Sequence, residues 1–260
     1  MPLLQPVEEP SASGIPCADI DFPFIADIGN LNTVHKYREE FTSVTISQEE
    51  AVTLEKNTRD QADSDLWHIE QRKRLTASNF GRIMLRKVAV NEQFVNSLLK
   101  DRKFTSAPTS YGKNNESVAR NMYRKKTKNH VHECGLLINQ AFPFIAATPD
   151  GKICENGQSG ILEIKCPFSV RDKTIAEVLA DPQKQDFFLQ IKGENIELRQ
   201  SHMHWFQVQG QLLVSGAKFC DFVTYTRQDM KIVRVLPHKP TMINILSKVL
   251  TVYCKFVCKK

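Results

Sequence analysis

The stretch Gly160-Ile161-Leu162-Glu163-Ile164-Lys165-Cys166, closed by Pro167, constrains the fold more than any other part of the chain. It is short and mostly apolar, and the proline that ends it cannot continue a ladder, so it reads as a strand. Alternation puts Glu163 and Lys165 on one face and turns Leu162 and Ile164 the other way, into a core. Upstream, Gly151-Lys152-Ile153-Cys154 runs into Glu155-Asn156-Gly157-Gln158, a hairpin turn that pairs the two runs. Residues 131–138 and 144–147 are also short, apolar and bounded by turn-like residues. A Gln-rich helix at 205–214 and a strand at 219–226 follow. Strand, hairpin, strand, helix, strand predicts a central mixed β-sheet flanked by helices, the α/β (α+β) class.

Helices precede the sheet. Ser47 followed by Glu49 and Glu50 marks a helix start, with acidic residues in the first turn, and the helix runs to about 61. A second is expected over 66–74. Leu75-Thr76-Ala77-Ser78-Asn79-Phe80-Gly81 supplies caps for a third, with Phe80, Ile83 and Met84 at helical spacing. A fourth is expected over 116–125, with Val118, Ala119 and Met122 inward. Residues 1–45, rich in Pro, Ser and acidic side chains, show no sustained period and read as a loosely ordered extension ahead of a domain spanning 46–260.

The apolar fraction of 41% allows a substantial core, and the formal charge of +6 is compatible with nucleic acid without requiring it. Seven cysteines without a regular framework predict mostly reduced thiols and an intracellular, soluble protein, nuclear if the source is eukaryotic. No stretch approaches the roughly 18 consecutive apolar residues of a membrane helix.

Asp150 sits at the start of the first hairpin strand, so the hairpin brings its carboxylate beside that of Glu163. Two carboxylates about 4 Å apart repel by roughly 4 kcal/mol at an effective dielectric near 20. A hard divalent cation, Mg²⁺ or Mn²⁺, removes that penalty and prefers oxygen ligands. Lys165 is then placed to orient or deprotonate a water, or to offset charge in a phosphoryl transition state. A Glu-x-Lys on a strand is by itself usually a solvated face, and an Asp before Gly usually a turn. The combination Pro149-Asp150, twelve intervening residues, then Glu163-x-Lys165 is the PD-(D/E)XK pattern.

Tyr111-Gly112-Lys113-Asn114-Asn115-Glu116, Ala147-Thr148-Pro149-Asp150-Gly151, Leu162-Glu163-Ile164-Lys165-Cys166-Pro167-Phe168 and Gln207-Val208-Gln209 occur in the order found in a known family. With the Trp67–Ser78 stretch, the chain resembles the YqaJ viral recombinase family over about 50–235, the lambda-exonuclease-like branch of the PD-(D/E)XK nucleases. That resemblance implies Asp150 and Glu163 as metal ligands, joined by the backbone carbonyl of Ile164. It implies Lys165 as the catalytic lysine, Glu116 at the metal site from its helix, and Gln207 approaching from the Gln-rich helix. It further implies a pocket for the 5′-phosphate of a DNA end, built from Ser78, Thr148 and Arg171. The family's upstream arginine falls on Gln71 in an ungapped match, leaving Arg72 or Arg74 to serve. On residue grounds alone Glu116 also reads as a helix N-terminal acid, Gln207 as a surface residue and Ser78 as an N-cap.

The implied activity is a Mg²⁺- or Mn²⁺-dependent deoxyribonuclease, a 5′-to-3′ exonuclease acting on linear duplex ends in recombination or repair. Its implied partners are DNA, further copies of itself in a trimer, and a single-strand annealing protein. An endonuclease on the same core and a non-catalytic DNA-end-binding module are the rival readings. His130-x-His132-x-Cys134 lacks a second ligand pair and reads as core or edge rather than zinc. Cys254 and Cys258 read as packing residues. Arg124, Lys125, Lys126 and Lys128 read as a solvated helix end.

Overall fold

The computed structural model describes residues 19–22, 41, 44–99 and 106–258. The Asn156-Gly157 turn behaves as its residues dictate. Both adopt positive φ, 49° and 76°, the left-handed conformation that a two-residue hairpin needs and that Asn and Gly tolerate best. It joins β5 (Gly151–Glu155) to β6 (Gln158–Lys165) in the antiparallel register Gly151↔Leu162 to Glu155↔Gln158. On its far side β6 runs parallel to β9 (Phe219–Tyr225), and β10 (Met230–Val235) pairs antiparallel with β9. β2 (His130–His132) closes the other edge against β5, giving the order β10-β9-β6-β5-β2. This is the mixed sheet that the sequence predicts.

The helices fill both faces. α5 (Ala107–Thr127) lays Ala119 and Tyr123 against Leu162, Ile164, Val223 and Met230. α7 (Met203–Ser215) covers the opposite face, where Val208 and Leu212 join Ile161, Cys220 and Phe222 in the main core. A second sheet lies beyond α7, formed by β1 (Leu75–Thr76), β4 (Ile145–Ala147) and β3 (Leu137–Ile138). α1 (Gln48–Asn57) and α2 (Asp65–Arg72) precede β1, and α3 (Ala77–Met84) and α4 (Glu92–Leu99) follow it. α6 (Ile175–Ala180) and the β7–β8 hairpin (Leu189–Lys192, Asn195–Leu198) lie within the β6-to-β9 crossover. α8 (Lys239–Phe256) ends the chain's regular structure. Among the described residues, no helix is long and apolar enough to cross a membrane.

Several expectations need correction. Val118 and Met122, expected to face inward, are exposed. The run 131–138 is not one strand: β2 and β3 belong to different sheets. Gly135 lies between them, so close to α1 that a Cβ there would meet Glu55 O at 2.0 Å. The helix read from Glu116 starts at Ala107, with Ser106 as its N-cap and Pro108 in its first turn. Cys134 and Cys220 are buried free thiols, whereas Cys154 is disulfide-bonded, an exception to the mostly reduced reading.

Most of the expected 1–45 extension lies outside the described residues. Within it, Phe22 is fully buried in the main core, and Ile20 and Phe41 are buried with it. Asp19 meets Lys152 Nζ at 2.8 Å and also pairs with Arg59.

Candidate active site

Asp150 is fixed by the hairpin beneath it. Its N–H donates to Leu162 O at 2.9 Å, and its Oδ2 accepts the Ile164 N–H at 2.6 Å. One step beyond the Gly151↔Leu162 pair, the register sets Asp150 against Glu163. The face that carries Glu163 and Lys165 is not solvated, because α7 covers it. Glu163 is only 2% exposed. Its Oε1 accepts from Lys165 and from Gln207 Nε2 at 2.6 Å, and its Oε2 accepts from Gln211 Nε2 at 2.6 Å. Gln207 is therefore no ordinary surface residue.

Glu116 lies well inside α5, with Arg120 Nη2 donating to its Oε1 at 2.9 Å. Its place in the third turn removes the helix-terminus explanation for an acid there. Gly112, Glu116, Asp150, Ile164, Lys165 and Cys166 line one cavity of about 260 Å³. A larger one, about 450 Å³, sits between α6 and the β7–β8 hairpin, away from these carboxylates. The chemistry therefore favours the smaller.

Burial pushes the Asp150 carboxyl well above the usual range, and the charges of Glu163 and Glu116 push it further. Burial acts to lower Lys165, but Glu163, Asp150 and Glu116 outweigh it, and the ammonium is held more firmly than usual. The Cys166 thiol is pushed up to about 12, by burial first and then by Glu116 and Asp150. Burial holds His204, on the same face of α7, down to about 2, with the Lys165 charge adding to it. Reading from sequence missed His204 and Gln211. Their signal is spacing: 204, 207 and 211 fall on one side of a helix.

The proposed phosphate residues lie on separate elements. Thr148, two residues before Asp150, accepts the Trp67 Nε1–H at 3.0 Å, which ties α2 to the hairpin loop. Ser78 is exposed in the first turn of α3; the cap position is Thr76, whose Oγ1 lies 3.0 Å from Ser78 Oγ, so Ser78 is not the N-cap. Arg171 follows the turn after Pro167. Its Nη1 donates to Phe168 O at 2.9 Å, and its guanidinium lies 4.1 Å from the Phe168 ring centroid. Ser78, Thr148 and Arg171 make no direct hydrogen bond to one another.

The structure removes Arg74 as a phosphate residue. It is 3% exposed and donates to Pro143 O at 2.9 Å, Val44 O at 3.1 Å, Glu70 O at 3.0 Å and Glu70 Oε2 at 2.6 Å. A guanidinium with every nitrogen engaged is committed to the fold. Arg72 sits exposed in the last turn of α2. His130 and His132 stand on the edge strand β2 with rings 4.2 Å apart.

Residues 66–218 match the sequence model of the YqaJ-like viral recombinase domain, more than half of the chain. The chain belongs to this family. The YqaJ-like chain is 26% identical over 198 residues to the alkaline nuclease of Orgyia pseudotsugata multicapsid polyhedrosis virus. That match covers 71% of this chain and 46% of the viral protein, so the chain spans about half the length of the curated relative. The crystal structure of the alkaline exonuclease LHK-Exo from Laribacter hongkongensis aligns with TM-score 0.56 and 22% identity, over 74% of this chain and 92% of that one. The SOX chain of a SOX–DNA complex aligns with TM-score 0.55 and 10% identity, over 87% and 72%. At these identities the two structures show a shared fold.

Among the described residues, no group of three His, Cys, Asp or Glu side chains is arranged as a ready-made metal cluster. The donor chemistry nevertheless suits a hard cation. Three carboxylates, Asp150, Glu163 and Glu116, act on one another here, with Lys165 partnering Glu163 and Arg120 partnering Glu116. Burial and mutual repulsion make these carboxylates costly to ionise together, a penalty that a divalent ion removes. A Mg²⁺-type ion keeps several of its own waters, so a few oxygen ligands suffice.

Proposed function

We propose that the chain is a Mg²⁺- or Mn²⁺-dependent deoxyribonuclease that digests linear duplex DNA from a 5′ end, in recombination or repair. The observation that supports this most is the grouping of Asp150, Glu163 and Glu116 with Lys165 at the open end of β6, between α5 and α7. The names of the relatives agree with it: an alkaline nuclease, an alkaline exonuclease, and a protein crystallised with DNA.

Asp150, Glu163 and the Ile164 carbonyl would hold the cation, with Glu116 across the cavity. When bound, such an ion neutralises phosphate charge and polarises the scissile phosphodiester as a Lewis acid. Lys165, kept as an ammonium by its carboxylate neighbours, stabilises the negative charge that develops on the phosphoryl oxygens. The ends of β5 and β6 fix these groups before substrate arrives, so little reorganisation is required during reaction. Arg171, Thr148, Ser78 and Arg72 are the candidates for gripping a 5′-phosphate. An Arg fork and hydroxyl donors suit its oxygens.

By the same family reading, the active species is a ring of identical copies, which needs a heterologous interface, and its product passes to a single-strand annealing protein. The deciding experiment digests linear duplex DNA carrying a labelled 5′-phosphorylated strand, with Mg²⁺ or with EDTA, beside a closed circle. Metal-dependent release from the 5′ end that spares the circle is the expected result. Cutting of the circle would make the chain an endonuclease; tight end binding without cleavage would make it a binding module.

A further inference from the structure

Gln211 lies one helical turn beyond Gln207 on α7, so the two amides leave the same side of the helix. Gln207 Nε2 reaches Oε1 of Glu163 and Gln211 Nε2 reaches Oε2, each at 2.6 Å. Gln211 is 1% exposed. Its own carbonyl, Oε1, is buried with no hydrogen-bond partner. A leucine or methionine at this buried position would carry no such unsatisfied acceptor, so packing alone does not account for an amide there. Its single side-chain bond goes to Glu163.

We propose that Gln211 is a positioning residue: with Gln207 it fixes the Glu163 carboxylate beside Asp150, and so sets how tightly the cavity takes a divalent cation. This inference rests on the cation reading of the cavity given above. An ionised carboxylate has about four acceptor positions. Lys165, Gln207 and Gln211 use three of them on Glu163. About one is left, so Glu163 would have a single oxygen lone pair to offer a cation. Removing the Gln211 donor frees a buried oxygen, and the carboxylate turns to find another partner. Losing such a supporting bond typically costs about 10–100-fold in metal affinity.

The same helix supplies the control. Gln209 is also fully buried. Its Nε2 donates to Leu236 O at 2.9 Å and its Oε1 accepts the His238 N–H at 2.8 Å. It fastens α7 to the connection between β10 and α8 without touching Glu163.

The test titrates Mn²⁺ by calorimetry, without DNA, into the whole chain as wild type, Gln211→Met, Gln211→Asn and Gln209→Met. Gln211→Met should raise the Mn²⁺ Kd about tenfold or more. Gln211→Asn, whose amide is one methylene short, should raise it less. Gln209→Met should melt earlier with an unaltered Kd. The Mg²⁺ concentration for half-maximal cleavage should follow Kd, while kcat at saturating Mg²⁺ stays within a few-fold of wild type. A Gln211→Met protein with the wild-type Kd overturns the proposal. Should that variant fail to fold, Gln211→Asn with a wild-type Kd overturns it equally. A wild-type protein that takes up no Mn²⁺ overturns the cation reading and this inference with it, and that failure is visible in the wild-type arm alone.

Discussion

The Asp150 carboxyl is half-buried by accessible surface, lines the cavity and faces two other carboxylates that push it up. Stability and activity should therefore respond oppositely to its removal. Asp150→Asn keeps an oxygen for the Ile164 N–H while discarding the charge. It should lower cleavage by on the order of 10³-fold, as loss of a charged reaction-centre group does, while the melting temperature holds or rises. Thermal melts beside a cleavage assay check both, and a variant that cleaves normally would remove Asp150 from the centre. Arg171 answers a narrower question. Arg171→Ala should reduce the preference for 5′-phosphorylated over 5′-hydroxyl ends by about 10-fold, the weight of one charge-assisted bond. Competition between the two ends measures it, and an unchanged preference removes Arg171 from the pocket. At this scale the sequence was informative wherever a residue type and its spacing announce chemistry: Asp150, Glu163 and Lys165 needed only the hairpin. It was silent wherever the deciding fact is what covers a face. Nothing local tells that α7 seals Glu163, that Gln211 reaches it, or that Arg74 turns inward to four acceptors.

Elements follow the same division. The β5–β6 hairpin, α7 and β9 were legible because Asn-Gly turns, helical spacing and β-branched runs are local signals. The break between β2 and β3 was not, since it comes from Gly135 passing against α1. α8 was legible in principle: Met242, Ile245, Leu246, Val249 and Tyr253 repeat at helical spacing and are all buried. The contact that aligns α7 with the rest is again a close approach. A Cβ on Gly210 would fall 2.3 Å from the Phe80 ring, and one on Gly81 would fall 2.5 Å from Met203 Cβ. Gly210→Ala should therefore push α3 from α7 and cost about 1–3 kcal/mol, as overpacking does. It should also weaken cleavage, because α7 carries Gln207 and Gln211. A denaturant melt checks the first effect, and an unchanged midpoint would mean that the helices are not in forced contact.

Across the whole molecule, the segment around Asp19 is tied to the β5–β6 hairpin by charge. Lys152, two residues from Asp150, has no exposure and lies 2.8 Å from Asp19, 3.3 Å from Glu55 and 3.0 Å from Ile20 O. Arg59 pairs with both acids, and His132 stands 3.8 Å from Asp19. Burial acts to raise Asp19, but Lys152 and Arg59 outweigh it and bring its carboxyl from 3.8 down to about 2. A depressed carboxyl contributes stability that is fully present above its unfolded value and is lost as pH falls through the folded one. The window is thus roughly pH 4 down to 2. At 1.36 kcal/mol per unit the shift would correspond to about 2.4 kcal/mol, which solvent screening of a partly exposed group reduces to about 1 kcal/mol. Asp19→Asn should then be less stable than wild type by about 1–3 kcal/mol at neutral pH, since it also leaves a buried lysine short of a partner. The gap should narrow by about 1 kcal/mol near pH 2, where wild-type Asp19 is itself becoming neutral. Urea melts of both proteins at pH 7, 4 and 2.5 decide the matter. A gap that does not change with pH would assign the effect to hydrogen bonding alone, and no gap at all would mean that the ion pairs do not fasten this segment to the hairpin that carries Asp150.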